Sequence, residues 1–374
     1  MRESTRQFAV SLALLLAGCA MPVSKLPDLP ADVVAAEQRR EQIAQLRKYY
    51  SELHRVDTIA FRLRTANVTF CDERVSPQIG LYAVTPRSLP RRYQSYISEA
   101  LNIGWMRPTA ISVVEDSPAA KAGIVAGDEI ITLNGELIPL WGTAGWINRR
   151  LKANGTKPVE LNVRHDGEGR IVTVTPVMAC AIPIAYTVDG AASASTGDTR
   201  IVINTGMITL ADTDAQLALI IGHEMAHSNL GHLDKQRWNQ VLGMASGAAI
   251  DLGILAGGVS TGGAFARQFK IFGARAFSVS FEREADYVGS YYAARAGYDL
   301  KGAEEVWRKI GLDAPGNILP NNSHPVTAAR FVQLQKVTAE IEEKKRRQEP
   351  LVPDLKYVTV EHDPATGETT AAKF

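Results

Sequence analysis

The chain has 374 residues, enough for two or three domains at about 150 residues each. With 45% hydrophobic and 22% charged residues its composition is globular, which excludes a disordered, collagenous or polytopic membrane chain. Lys and Arg number 41 against 40 Asp and Glu, so no nucleic-acid partner is expected, since such a partner calls for a basic excess. Three cysteines leave one thiol to be accounted for in a secreted chain.

In chain order, Arg2 and Arg6 precede an apolar run from Phe8 to Ala17. At roughly ten residues this run is too short to cross a bilayer of about 30 Å and reads as the core of a signal peptide. The following Leu16-Ala17-Gly18-Cys19 resembles a bacterial lipoprotein lipobox. That resemblance implies cleavage after residue 18, acylation of Cys19 and a lipid bilayer as partner, and several acyl chains hold far more firmly than one. Ala20, where an Asp would mark inner-membrane retention, implies an outer-membrane anchor facing the periplasm of a bacterial envelope. Residues 19–30 are a proline-containing tether. Residues 31–60 have helical periodicity, with apolar positions at Val34, Ile43, Leu46, Leu53, Val56 and Ile59.

From residue 76 to 178 the pattern changes to short strands and glycine turns. Thr109–Val114 is a β-branched run, Ser117–Gly123 a helical turn, Glu129–Leu133 a strand, and a helix is expected near Ala144–Lys152. Two strands flank Asp166-Gly167, a hairpin signal. The string SPAAKAGIVAGDEIITLNG closely resembles a bacterial PDZ domain, which implies an extended peptide bound as an added strand. The loop Leu101–Trp105 resembles the carboxylate-binding turn of that family and makes Ile103, Gly104 and Trp105 candidate peptide-binding residues. Cys71 and Cys180 bracket the module, and in an oxidising compartment they are expected to form a disulfide.

Residues 211–232 carry the chemistry. Thr213 and Gln216 form a capping-box pattern, and Leu217, Ile220 and Ile221 give the helix that follows a buried face. His223 and His227, four apart, project from one side of it and can ligate one metal ion. Glu224 lies about 100° round, within reach of a water at that ion but badly placed as a ligand. His232 reads as a partly exposed helix-end residue. A third ligand is sought downstream in Phe281–Asp286, where Glu282 and Asp286 share a helix face. One can ligate while the other accepts a ligand histidine's ring N–H, and the spacing does not say which; Glu284 points away and reads as a solvated or salt-bridged carboxylate.

HExxH followed by ExxxD resembles the M48 family of zinc metallopeptidases. The resemblance implies one Zn²⁺ per chain held by His223, His227 and Glu282, with Asp286 in support and Glu224 as general base. Thr199–Gly206 resembles the family's substrate-binding edge strand. Ser323-His324-Pro325, ahead of a helix with Arg330, resembles a segment near the cleft, so His324 is a candidate catalytic hydrogen-bond donor, a plug on the fourth metal position, or a structural loop residue. Val241–Gly263 is expected to form a buried helix and a mobile Gly-rich loop.

The expected fold class is α+β: a mainly helical zincin-type protease domain with a small edge-strand sheet, in residues 31–75 and 179–345. A PDZ-like β-rich domain is inserted at 76–178, and a loosely ordered tail follows from 346 to 374. The expected function is an endopeptidase with protein or peptide substrates, acting on unfolded or misassembled envelope proteins. The rival is a zinc-stabilised, PDZ-bearing chaperone or scaffold of envelope assembly, which would have no need of Glu224.

Overall fold

The computed structural model describes residues 24, 26–88, 91–197, 200–275, 278–313, 324, 327–354, 361–362 and 369–370; Cys19 lies outside them. The chain divides into two compact units, Met1–Gln42 and Ile43–Phe374. In the first, the described residues are mainly the opening turns of helix α1, Ala31–Ala66, where Arg40 pairs with Glu37 at 3.2 Å. In the second, α1 buries Ile43, Leu46, Leu53, Val56 and Ile59, as expected from its sequence, and with them Tyr50 and Leu63 at helical spacing, whereas Val34 in the first unit is only half-buried.

Strand β1 (Val75–Gln78) pairs antiparallel with β8 (Val177–Cys180), and a disulfide joins Cys71 to Cys180 with their Cα atoms 5.5 Å apart. The entry and exit of the intervening module are therefore pinned both by a ladder and by a covalent bond. The linked residues are 109 apart, and closing a loop of that length in the unfolded chain is worth up to about 4.7 kcal/mol. Replacing both cysteines by serine should lower the urea midpoint by a corresponding amount. An unchanged midpoint would show that the bond contributes nothing to stability.

Between those strands lies a sheet in the order β2 (Leu81–Val84), β3 (Thr109–Val113), β4 (Glu129–Leu133), β6 (Val159–His165), β7 (Glu168–Val174), with β5 (Glu136–Leu137) beside β4. Helix α2 (Arg91–Leu101) separates β2 from β3, α3 (Pro118–Lys121) follows β3, and α4 (Thr143–Asn154) packs Ile147 and Leu151 into the core of this sheet. Ser117 caps α3 by accepting from the Ala120 N–H. Asp166 and Gly167, at φ 47° and 90°, make the expected β6–β7 turn.

A second core contains a three-stranded sheet, β10 (Ala194–Thr196), β11 (Ile201–Asn204) and β9 (Ile184–Thr187) in that order. Around it lie α5 (Thr205–Leu210), α6 (Asp214–Asn229), α9 (Ser278–Arg295), α10 (Glu305–Asp313) and α11 (Ala328–Arg346). Helices α6 and α9 approach backbone to backbone: a Cβ on Gly222 would lie 2.6 Å from the Gly289 carbonyl, and one on Gly289 would lie 2.6 Å from the His223 nitrogen. Only glycine permits that spacing.

Two expectations are corrected. The helix beginning near Val241 belongs to α7 (His232–Ala256), which forms a hairpin with α8 (Ala264–Arg275) and is largely exposed, with only His232 and Gly247 buried. Residues 347–354 fold back on the body, where the Asp354 N–H donates to the Tyr287 hydroxyl and Lys344 reaches the Val352 carbonyl. Strands β12 (Glu361–His362) and β13 (Thr369–Thr370) pair with each other.

Candidate metal centre

Helix α6 opens at Thr213, whose hydroxyl accepts from the Gln216 N–H, while the Gln216 side chain accepts from the Asp212 N–H. The capping box is thus shifted by one residue from the expected reciprocal pair. About two turns beyond Gln216, His223, Glu224 and His227 are all buried. Across the Gly222–Gly289 contact, α9 presents Glu282 and Asp286 to them. The Glu282 carboxylate lies 3.5 Å from His223 Nε2 and 3.3 Å from His227 Nε2, and Asp286 Oδ1 lies 2.9 Å from His223 Nδ1. This resolves the ambiguity in the sequence: Glu282 faces the ligand position and Asp286 accepts the ring N–H behind it.

The ring protons follow from these partners. His223 gives its Nδ1–H to Asp286. His227 Nδ1 lies 3.0 Å from His232 Nδ1, and His232 Nε2 lies 3.0 Å from Glu284. A carboxylate can only accept, so His232 donates from Nε2 and accepts at Nδ1, and His227 donates from Nδ1. In their neutral forms His223 and His227 therefore turn both Nε2 lone pairs toward one point, and these atoms lie 3.1 Å apart. Two such acceptors repel unless a proton or a metal cation lies between them.

His223, His227, Glu282 and His324 place one donor atom each within 4.8 Å of one another. Tetrahedral zinc with bonds of about 2.0–2.1 Å separates its donors by about 3.3 Å, and the observed 3.1, 3.3 and 3.5 Å fit it. His324 Nδ1 donates to Glu282 at 3.0 Å, and its Nε2 lies 4.0 Å from Glu224. With a side chain 32% exposed, it is the most accessible of the four.

Glu224 accepts from the Thr196 hydroxyl of β10 at 2.6 Å. Burial raises its carboxyl, but His324, His223 and His227 together with that hydroxyl outweigh it and hold it below the usual carboxylate range. Asp286 accepts from Trp307 Nε1 at 3.2 Å and from Arg330 at 2.7 and 2.8 Å. Burial opposes its ionisation, yet Arg330 and His223 bring its carboxyl down to about 2. Arg330 also reaches Glu282 at 3.1 Å, so one guanidinium ties the two carboxylates together.

His232 is corrected from a partly exposed helix-end residue to a buried one behind His227, which it orients; its partner Glu284 is exposed and salt-bridged, as expected. The signal lay in the distance from His227 to His232 along the chain, but the turn at Gly231, with φ 63°, breaks the helix and brings the ring back. His232→Ala should lower metal affinity about 10–100-fold, read by competition with a chelator, with the fold retained. An unchanged affinity would remove the pair from the site. Thr196, Trp307 and the role of Arg330 were likewise absent from the sequence reading.

The expected edge strand is also corrected. β11, within Thr199–Gly206, is the middle strand, and β10 on its outer side carries Thr196 against Glu224. Of the candidate loop, Gly104 and Trp105 are exposed, but Ile103 is not available to a peptide. Ile103 is buried with Ile43, Leu46 and Ile97, and its N–H is spent on the Ser98 carbonyl. A cavity of about 230 Å³ instead lies between the edge strand β2, with the preceding Gln78–Gly80, and Ala144, Ile147 and Asn148 of α4. Asp57, Phe61 and Arg64 of α1 close it. Asp57 Oδ2 is buried without a hydrogen-bond partner, and burial pushes its carboxyl up to about 7. The helix α2 inserted between β2 and β3 displaced the loop from the place its spacing suggested.

Residues 185–338 match the Peptidase family M48 and residues 110–164 match a PDZ domain. A curated relative, the mitochondrial metalloendopeptidase OMA1 of Arabidopsis thaliana, is 33% identical over 34% of this chain, and the match spans 25% of that relative's length. Among solved structures, the HtrA3 PDZ domain bound to a phage-derived ligand aligns at TM-score 0.22 and 20% identity, covering 28% of this chain and 88% of that one. The HtrA-type protease AlgW with a decapeptide aligns at TM-score 0.22 and 19% identity, covering 28% and 30%.

Proposed function

We propose that the chain is a zinc-dependent endopeptidase, held to the bacterial envelope through acylated Cys19 and facing the periplasm, that cleaves unfolded or misassembled envelope proteins. The observation that carries this reading is the pair of opposed Nε2 lone pairs on His223 and His227, with Glu282 beside them and Glu224 next to, but outside, the donor set. A His₂Glu set favours zinc, and zinc when bound supplies Lewis acidity that polarises a peptide carbonyl and brings the pKa of a water to about 7.

The remaining steps belong to the chain. Glu224, oriented by Thr196, takes a proton from the attacking water and delivers it to the leaving amine. Asp286 and the His232–Glu284 pair fix the ligand tautomers. The outer edge of β10 can hold substrate backbone by strand addition. His324, the most accessible donor and outside the helices, would be the donor able to give way to substrate once the ion is held by His223, His227 and Glu282. The PDZ-like module supports recruitment of extended peptides along β2, where Arg64 can meet a terminal carboxylate.

The test is cleavage of an unfolded protein by the purified chain. A chelator should abolish it and added Zn²⁺ restore it. Chelator-resistant cleavage, or none in the zinc-loaded chain, would overturn the proposal.

A further inference from the structure

The α7–α8 hairpin leaves the body between the two helices that carry the metal ligands, and its construction is inverted for a water-soluble pair. Its interior is glycine: a Cβ at Gly243 would lie 2.2 Å from the Phe269 carbonyl, one at Gly247 2.3 Å from the Phe265 carbonyl, and one at Gly273 2.1 Å from the Asn239 carbonyl. The two backbones touch through a small-xxx-small pattern, the contact that helices use when lipid gives them no reason to bury large apolar side chains together. Those side chains point outward instead. Trp238, Val241, Leu242 and Leu252 are exposed and share one face of α7, opposite Gly243 and Gly247 by helical arithmetic. On α8, Phe272 is 73% exposed and lies on the same face as Phe265, which is exposed as well.

Charge follows the same plan. Between Arg237 and Arg267 the only ionisable side chain is Asp251. Its oxygens are used inside the hairpin: they accept from the Phe265 N–H at 3.2 Å, the Ala266 N–H at 2.8 Å and the Thr261 hydroxyl. Arg267 is turned onto the Gly262 carbonyl at 2.7 Å. Lys235, Lys270 and Arg275 lie at the root and on the polar side of α8, where long stems let their charges reach a headgroup layer, and Arg237 at the root pairs with Asp234 at 3.5 Å. A helix with apolar and basic faces is the pattern of an element lying in a bilayer interface, and Trp238 near the root suits the headgroup boundary. No helix among the described residues is long and apolar enough to cross a membrane.

From these observations we infer that the α7–α8 hairpin embeds its apolar faces in a single leaflet of an anionic phospholipid bilayer. The lysines and arginines then stand among the phosphates, and the metal cleft at the hairpin's root is held at the membrane surface. The basic complement selects anionic lipid over a neutral surface, and the exposed apolar residues supply the depth.

The test uses the full chain carrying Cys19→Ser, so that no acyl chain forms, with vesicles of phosphatidylcholine containing phosphatidylglycerol or of phosphatidylcholine alone. The chain should co-float with the anionic vesicles more strongly than with the neutral ones. Brominated lipid should quench a fluorescence component absent from Trp238→Phe. The triple variant Leu252→Gln, Leu255→Gln, Val259→Gln changes only exposed positions outside the metal site, and it should cut partitioning at least about tenfold while leaving the far-ultraviolet spectrum and Zn²⁺ binding unchanged. Flotation equal in the triple variant and its parent would place any binding in the leader and overturn the inference. Concentration-dependent self-association without lipid, lost in the same variant, would overturn it in favour of a second copy as the occupant.

Discussion

Glu224→Gln is expected to abolish cleavage of an unfolded protein, by about 10²–10⁴-fold, while the purified variant retains its metal. Glu224 is not one of the four donors, so its loss removes no ligand. Gln keeps the shape and can still accept the Thr196 hydroxyl, but it cannot carry a proton between water and the leaving amine. The neighbouring imidazoles hold Glu224 ionised, so the native residue is ready to accept that proton at neutral pH. Metal content by elemental analysis and cleavage rate under saturating substrate separate the two roles. A Gln variant within about tenfold of the parent would exclude Glu224 as the base, and one that loses metal would make it structural.

What the sequence made legible was whatever a single helix decides. The four-residue spacings of His223 with His227 and of Glu282 with Asp286 put each pair on one face, and the structure uses both faces as read. The Cys71–Cys180 bridge was legible because two thiols flanked a module with a pattern of its own. Contacts set by packing were hidden. Thr196 reaches Glu224 only because β10 lies outside β11, and His232 turns back on His227 only because Gly231 adopts a left-handed backbone. The α7–α8 segment failed for a different reason. Too polar and glycine-broken for a membrane span, it reads as a buried helix and a mobile loop, whereas its glycines take the interior of a hairpin and leave the large side chains outside.

Arg330→Met should cost about 3–5 kcal/mol of stability and weaken zinc binding about 10–100-fold, the largest effect expected from a residue that touches no substrate. The side chain is 2% exposed, with its charge spent on Asp286 and Glu282. Removing it leaves Asp286, buried completely, facing His223 and the Trp307 N–H alone. A buried ion pair is a poor source of net stability, because desolvating both charges offsets most of their attraction, but leaving one partner unpaired exposes the full desolvation cost of the other. The double variant Arg330→Met, Asp286→Asn should therefore recover part of the stability while leaving zinc binding weak, since His223 would still lack an ionised acceptor behind it. Arg330→Lys should fall between, because an ammonium supplies the charge without the fork that reaches both carboxylates. Unfolding midpoints and chelator competition on the parent, the single variants Arg330→Met and Asp286→Asn and the double variant complete the cycle. If Arg330→Met changed stability by less than about 1 kcal/mol, the guanidinium would not be what holds Asp286 ionised behind the metal ligand.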